Sequence, residues 1–219
     1  MTTIALQAQD KVIQPQISVS GEGKVKVVPN EAIISVAVET KGEESSKVKK
    51  ENDTSIDKVL KFLKSTKIDQ KNIKTERVSL YPQHDYQKKK NYYYASQTIS
   101  IHLKDLSDYE RIMSGLIEAG VNRINGVTFQ SSEMEKLKSE ARKLAVADAR
   151  KKAQDFAGAL GQKVGNAIII SDNSQPIYNP PMYRNVMMEA KADADMSQQT
   201  LAVGEIEINT NVNITFILE

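Results

Sequence analysis

The 219-residue chain has no cysteine. That absence removes disulfides, thiol catalysis and cysteine-based zinc or iron–sulfur sites. It leaves the redox compartment open, because a cysteine-free protein suits either one. Only two histidines, His84 and His102, are available for acid–base work. No apolar run approaches the length that crosses a bilayer as a helix. Charge of one sign is also missing: the net charge is +2, which gives no general reason to expect nucleic acid or an acidic partner. Gly21-Glu22-Gly23 lacks the third glycine of a dinucleotide fingerprint, and a strand pattern follows it where that motif needs a helix. No G-x-S-x-G nucleophile motif accompanies the histidines.

What the chain does have is an ordinary globular balance, 40% hydrophobic and 26% charged. Its length suits one large domain or two small lobes sharing a core. Alanine recurs every fourth residue at Ala141, Ala145, Ala149, Ala153 and Ala157. This is one face of a helix. Its small side chains let the backbone approach whatever covers it, and Ala149 is expected on the sheet-facing side. Leu137, Leu144, Phe156 and Leu160 fall on or beside the stripe, and Gly161 suits the left-handed position after the helix.

Ile17, Val19, Val25 and Val27 alternate with polar residues as in a half-buried strand, which Gly21 and Gly23 are expected to bend or bulge. Pro29-Asn30 reads as a turn. A strand follows through Ala32, Ile34, Val36 and Val38, then a helix over Gly42–Ser65. A long hairpin comes next, its arms carrying Ile73 to Pro82 and Tyr93 to Leu103. Ser107 to Glu110 and Ser132 to Glu135 read as capping boxes opening two further helices, the first stopped by Gly120. Strands are expected over Val121–Gln130, over Val164–Ser171 and at the C-terminus. In the last, Ile206, Ile208, Val212, Ile214, Phe216 and Leu218 point one way and polar residues the other, the pattern of an antiparallel sheet with one wet face. The predicted class is α+β, with antiparallel-rich sheets, helices packed on one face, and element order ββαββαβαββ.

Two segments together resemble the SIMPL-domain (YggE-like) family of bacterial envelope proteins. One is ISVSGEGKVKVVPNEAIISVAVET, beginning at Ile17; the other is ARKLAVADARKKAQDFAGALGQKVG, beginning at Ala141. The likeness runs in order over about Ile17 to Leu218. It implies an exported protein, periplasmic or associated with the outer membrane, with a link to oxidative stress defence. It carries over no catalytic residue. Gly21, Gly23, Pro29, Ala149 and Gly161 transfer as structural positions. Residues 17–219 are expected to form a single SIMPL-like domain, preceded by a leader over 1–16. That leader is either a disordered segment or the remnant of a signal peptide, with Leu6-Gln7-Ala8 as a cleavage site.

Two regions hold candidate interaction chemistry. Five of the eight tyrosines, Tyr81, Tyr86, Tyr92, Tyr93 and Tyr94, crowd the hairpin end around Lys88, Lys89 and Lys90. Such a patch packs on itself, anchors a protein contact, stacks bases or sits at a membrane interface. Near-neutral charge argues against nucleic acid. The loop 172–199 holds Met182, Met187, Met188 and Met196. Its thioethers suit soft packing, Cu(I) or reversible oxidation. His84 with Asp85, and His102 with Asp105, are the only base–orienter pairs in view. The expectation is a non-enzymatic envelope protein acting by self-assembly or partner binding, with no cofactor and no transmembrane span, and with peripheral membrane association open. The alternatives are a metal- or redox-handling protein using the methionine loop, and a hydrolase built around His84.

Overall fold

The structure, a computed structural model, describes residues 14–172 and 203–219. The expected leader and the methionine loop therefore lie almost wholly outside the described residues. Among the described residues, seven strands and three α-helices follow the predicted order: β1 (Gln16–Val27), β2 (Glu31–Gly42), α1 (Ser45–Ser65), β3 (Ile73–Asp85), β4 (Lys90–Leu103), α2 (Tyr109–Ala119), β5 (Arg123–Gln130), α3 (Met134–Ala159), β6 (Val164–Asp172) and β7 (Ile206–Leu218). The class is α+β. The chain divides into two compact units. One holds residues 28–132 and 203–206; the other holds 14–27, 133–172 and 207–219.

In the second of these, α3 lies on a three-stranded sheet of order β1-β7-β6. Ala141, Ala145, Ala149 and Ala153 are fully buried, and Ala157 is nearly so. Ala141, Ala145 and Ala149 meet Gly21 and Gly23, which lie inside the continuous strand β1. A Cβ added to Gly21 would stand 2.0 Å from the Ala145 carbonyl oxygen, and one added to Gly23 would stand 2.0 Å from that of Ala141. The glycines are there because helix backbone occupies the space a side chain would fill. The two repeats mesh. A helix rises about 6 Å per four residues, and a strand advances about 6.7 Å between residues on one face, so Ala-x-x-x-Ala runs almost in step with Gly-x-Gly. Val19, Val212, Ile214 and Phe216 complete this core. Leu137 continues the stripe toward the start of the helix and is buried; the other larger apolar residues lie off it, with Leu144, Phe156 and Leu160 exposed, because a contact this close admits only a narrow line of small side chains.

β1 is an edge strand, and the helix covers its edge chemically. The Glu22 N–H donates to Asp148 Oδ2 at 2.9 Å, and Lys152 Nζ donates to the Ser20 carbonyl at 3.1 Å. Asp148 and Lys152 pair with each other at 2.7 Å. The lysine, followed by the Glu22 amide, holds the Asp148 carboxyl below the usual carboxylate range. Two crossed bonds close α3: Gly161 N–H to Gly158 O, and Gln162 N–H to Ala157 O, with Gly161 at φ 72° as the sequence predicts.

The other unit is a βαββαβ arrangement, its sheet ordered β3-β4-β2-β5 with every neighbouring pair antiparallel. Here the core is conventional. Ile34, Val36, Ile99 and Ile101 from the central strands meet Val59 and Leu63 of α1 and Ile112 and Leu116 of α2. Asparagines secure its margins. Asn52 of α1 donates to the Val38 carbonyl at 2.9 Å. Asn122 reproduces a strand pairing with Glu39, accepting its N–H at 2.8 Å and donating to its carbonyl at 2.7 Å. Both predicted capping boxes fail. Before α2, Asp105 accepts from the Ser107 N–H and caps a 3-10 turn that runs into the helix. Before α3, the Ser132 hydroxyl accepts from Asn30 instead of capping. At Ser132 a distant polar partner takes the hydroxyl, and at Ser107 the 3-10 turn moves the start of the helix to Tyr109.

The close contact makes a paired prediction. Gly21→Ala forces the helix off the strand and costs about 1–3 kcal/mol, as does Ala149→Leu. Gly158→Ala, in a helical position where an added Cβ meets nothing within 4 Å, stabilises by about 0.5–1 kcal/mol. Urea unfolding midpoints check both signs.

Candidate functional site

The four-stranded sheet buries one face against its helices, so alternate residues of β2 and β4 are left on the other. Register places Lys41 beside Tyr94, Glu39 beside Ser96, Ser35 beside Ser100 and Ile33 beside His102. On the outer side, Tyr81 pairs with Tyr94 and Ser79 with Ser96. The face thus has an aromatic end, a hydroxyl-rich middle and an end built around His102.

At the aromatic end, the Tyr81 and Tyr94 rings stack with centroids 5.9 Å apart and planes 15° apart. Lys41 Nζ lies 4.3 Å from the Tyr92 centroid and 5.1 Å from that of Tyr94. The nearby Tyr94 hydroxyl raises the Lys41 pKa above the ordinary lysine value, and some loss of hydration opposes it. Tyr93 lies opposite Gly42 and Pro82 and points to the other face. Tyr92, Tyr93 and Tyr94 therefore do not form one patch, since the pleat alternates them. At the tip, Asp85 Oδ1 accepts the N–H groups of Lys88 and Gln87, which hold its carboxyl below the usual range. Lys90 pairs with Glu43 at 3.1 Å. Tyr86 is 86% exposed, touched edge-on by His84. Val78 and Leu80, on β3, are exposed as well.

Neither histidine has the orienting partner its sequence neighbours suggest. His84 Nδ1 lies 2.7 Å from Asn91 Oδ1, while Asp85 is committed to the turn. Asp105 caps the 3-10 turn and leaves His102 to Glu31, 71 positions away, with Nε2 and Oε2 2.9 Å apart. Gln130 from β5 joins them, its Nε2 2.8 Å from His102 Nε2 and 3.4 Å from Glu31 Oε2. Glu31 is only 8% exposed. Glu31 and Gln130 carry no motif; only the strand register brings them to His102. Among the described residues, no three His, Cys, Asp or Glu side chains converge on a point. Met182, Met187, Met188 and Met196 lie outside the described residues.

The profile of the SIMPL family, described as a protein of unknown function (DUF541), matches residues 17–216. The chain belongs to the SIMPL family. The matched span takes in both units and both segments on which the sequence resemblance rests. Among relatives, the chain is 28% identical over 219 residues to the uncharacterized protein YggE of Escherichia coli (strain K12), covering 99% of this chain and 88% of that protein. It is 27% identical to the 26 kDa periplasmic immunogenic protein of Brucella melitensis biotype 1, covering 96% of this chain and 88% of that protein. It is 23% identical to YggE of Edwardsiella ictaluri, covering 98% and 91%. No helix among the described residues of this SIMPL protein is long and apolar enough to cross a membrane.

The lysine–tyrosine contact is testable by a nitrogen-detected NMR titration of labelled lysines. Lys41 is expected to lose its proton above the ordinary lysine value, and Tyr94→Phe to move it back down. An Lys41 titration that Tyr94→Phe leaves in place would remove the hydroxyl as the cause.

Proposed function

We propose that this SIMPL protein is an exported, periplasmic, non-enzymatic protein that works through self-assembly or partner binding, with the end of the β3–β4 hairpin as its contact. The observation that carries this reading is the exposure of Tyr86 and Tyr81 toward the tip that bears Lys88 and Lys89, with Leu80 and Val78 exposed further along β3, on a hairpin longer than its core requires. Tyrosine supplies large contact area with few rotors to freeze, and it suits an interface centre. The periplasmic name of the Brucella relative supports the compartment. The family resemblance supplies the proposed link to oxidative stress defence, which acts here through the assembled or partnered state. The reading as a hydrolase centred on His84 is weaker, because that ring is engaged by Asn91 and Tyr86.

The stacked pair Tyr81–Tyr94 holds the hairpin together, so the test spares it. Val78→Ser, Leu80→Ser and Tyr86→Ser combined should lower the solution mass, or abolish capture of an envelope partner that the wild type retains. The far-UV spectrum should stay native. A monomeric wild type that captures nothing from envelope extracts would overturn the reading.

A further inference from the structure

We infer that His102, Glu31 and Gln130 form a binding site for a divalent first-row transition metal ion, independent of the hairpin contact. Three adjacent strands deliver these side chains to one point on the open face of the sheet. The three terminal atoms lie 2.9, 2.8 and 3.4 Å apart. Hydrogen accounting leaves this arrangement incomplete. Imidazole Nε2 carries one proton or one lone pair. If it donates to Glu31, the Gln130 amide N–H meets another N–H. If it accepts from Gln130, it faces the Glu31 carboxylate lone pair to lone pair at 2.9 Å. The amide's oxygen and nitrogen exchange by a half-turn. With the oxygen inward, a protonated Nε2 serves both neighbours but leaves the amide and carboxylate oxygens 3.4 Å apart. With Glu31 ionised, no placement of hydrogens satisfies all three contacts.

A cation among them does. It converts three converging lone pairs, from the imidazole nitrogen, the carboxylate oxygen and the turned amide oxygen, into three ligands. Two donors bound at about 2.0–2.1 Å to a tetrahedral ion stand roughly 3.4 Å apart. The Gln130–Glu31 edge already has that length, and the other two need to open by about half an ångström. One imidazole with two oxygens suits zinc-like ions rather than the soft thioether-seeking Cu(I). The His102 side chain is 30% exposed, against 11% for Glu31, so the fourth position opens to solvent on the histidine side. Three protein donors with an open fourth place is the form that takes water or an exogenous ligand.

The probe is zinc chloride added to the whole chelator-stripped protein, followed by calorimetry and by thermal unfolding. Saturable binding near one ion per chain is expected. The unfolding midpoint should rise by about 5–10 °C at a hundredfold excess over the dissociation constant. His102→Ala and Glu31→Gln should abolish both effects, and Gln130→Glu should tighten binding. Imidazole nitrogen NMR of the wild type needs no variant: the Nε2 signal of His102 should shift with zinc while His84 stays still. Absence of saturable binding, binding that survives His102→Ala, or a shift at His84 alone would overturn the inference.

Discussion

The contact between the α3 backbone and two glycines of β1 is the constraint on which one half of the molecule depends. With no side chain at Gly21 or Gly23, the helix approaches until an added Cβ would overlap the carbonyls of Ala145 and Ala141. That distance dictates the rest of the helix. Every fourth residue must be small, so the stripe is alanine from 141 to 157. It also brings Asp148 and Lys152 within reach of the strand's outer edge, where they bond the Glu22 N–H and the Ser20 carbonyl. The helix thereby replaces a neighbouring strand and leaves that stretch of edge closed to another chain. The same approach limits what the helix covers. Phe156 and Leu160 stay exposed, as do Ile169 and Ile170 on β6.

The βαββαβ unit solves its packing in the opposite way. Branched side chains from β2 and β4 fill the space between sheet and helices, and the layers stand apart at the distance those residues set. Burying one face fully leaves the other free for polar chemistry. The fold by itself says nothing about use. What distinguishes this face is the residues the register assembles: stacked tyrosines with a lysine at one end, and the histidine cluster at the other. Asn122 and Asn52 hold the margins by bonding backbone groups of β2.

Element order was legible because alternation and the every-fourth-residue alanine are local patterns. Contacts between distant positions were legible only in part. The alanine stripe announced a close neighbour, and Ala149 is fully buried as expected. Gly21 and Gly23 read as a bend or bulge, and the helix against them stayed hidden, because a missing side chain in sequence does not show what fills its place. The histidines invited pairing with nearby aspartates, yet a strand side chain meets residues across the ladder. His102 therefore finds Glu31 on β2 rather than Asp105. Tyr92, Tyr93 and Tyr94 are consecutive in the chain and so divide between faces. The capping box at Ser132 failed for a similar reason: it has its motif in sequence, but Asn30, 102 positions away, reaches the hydroxyl first.

The central claim, that α3 lies directly on β1 and closes its edge, is tested by hydrogen exchange at the Glu22 amide. An uncovered edge amide exchanges with solvent through local fraying, whereas a bonded and covered one exchanges only when the helix lifts or the unit unfolds. The account predicts that Glu22 is protected to the same degree as the core amides of β7, and that Gly21→Val removes this protection while the β7 core amides keep theirs. Rapid exchange at Glu22 in the wild type, at the rate of an open edge, would contradict it.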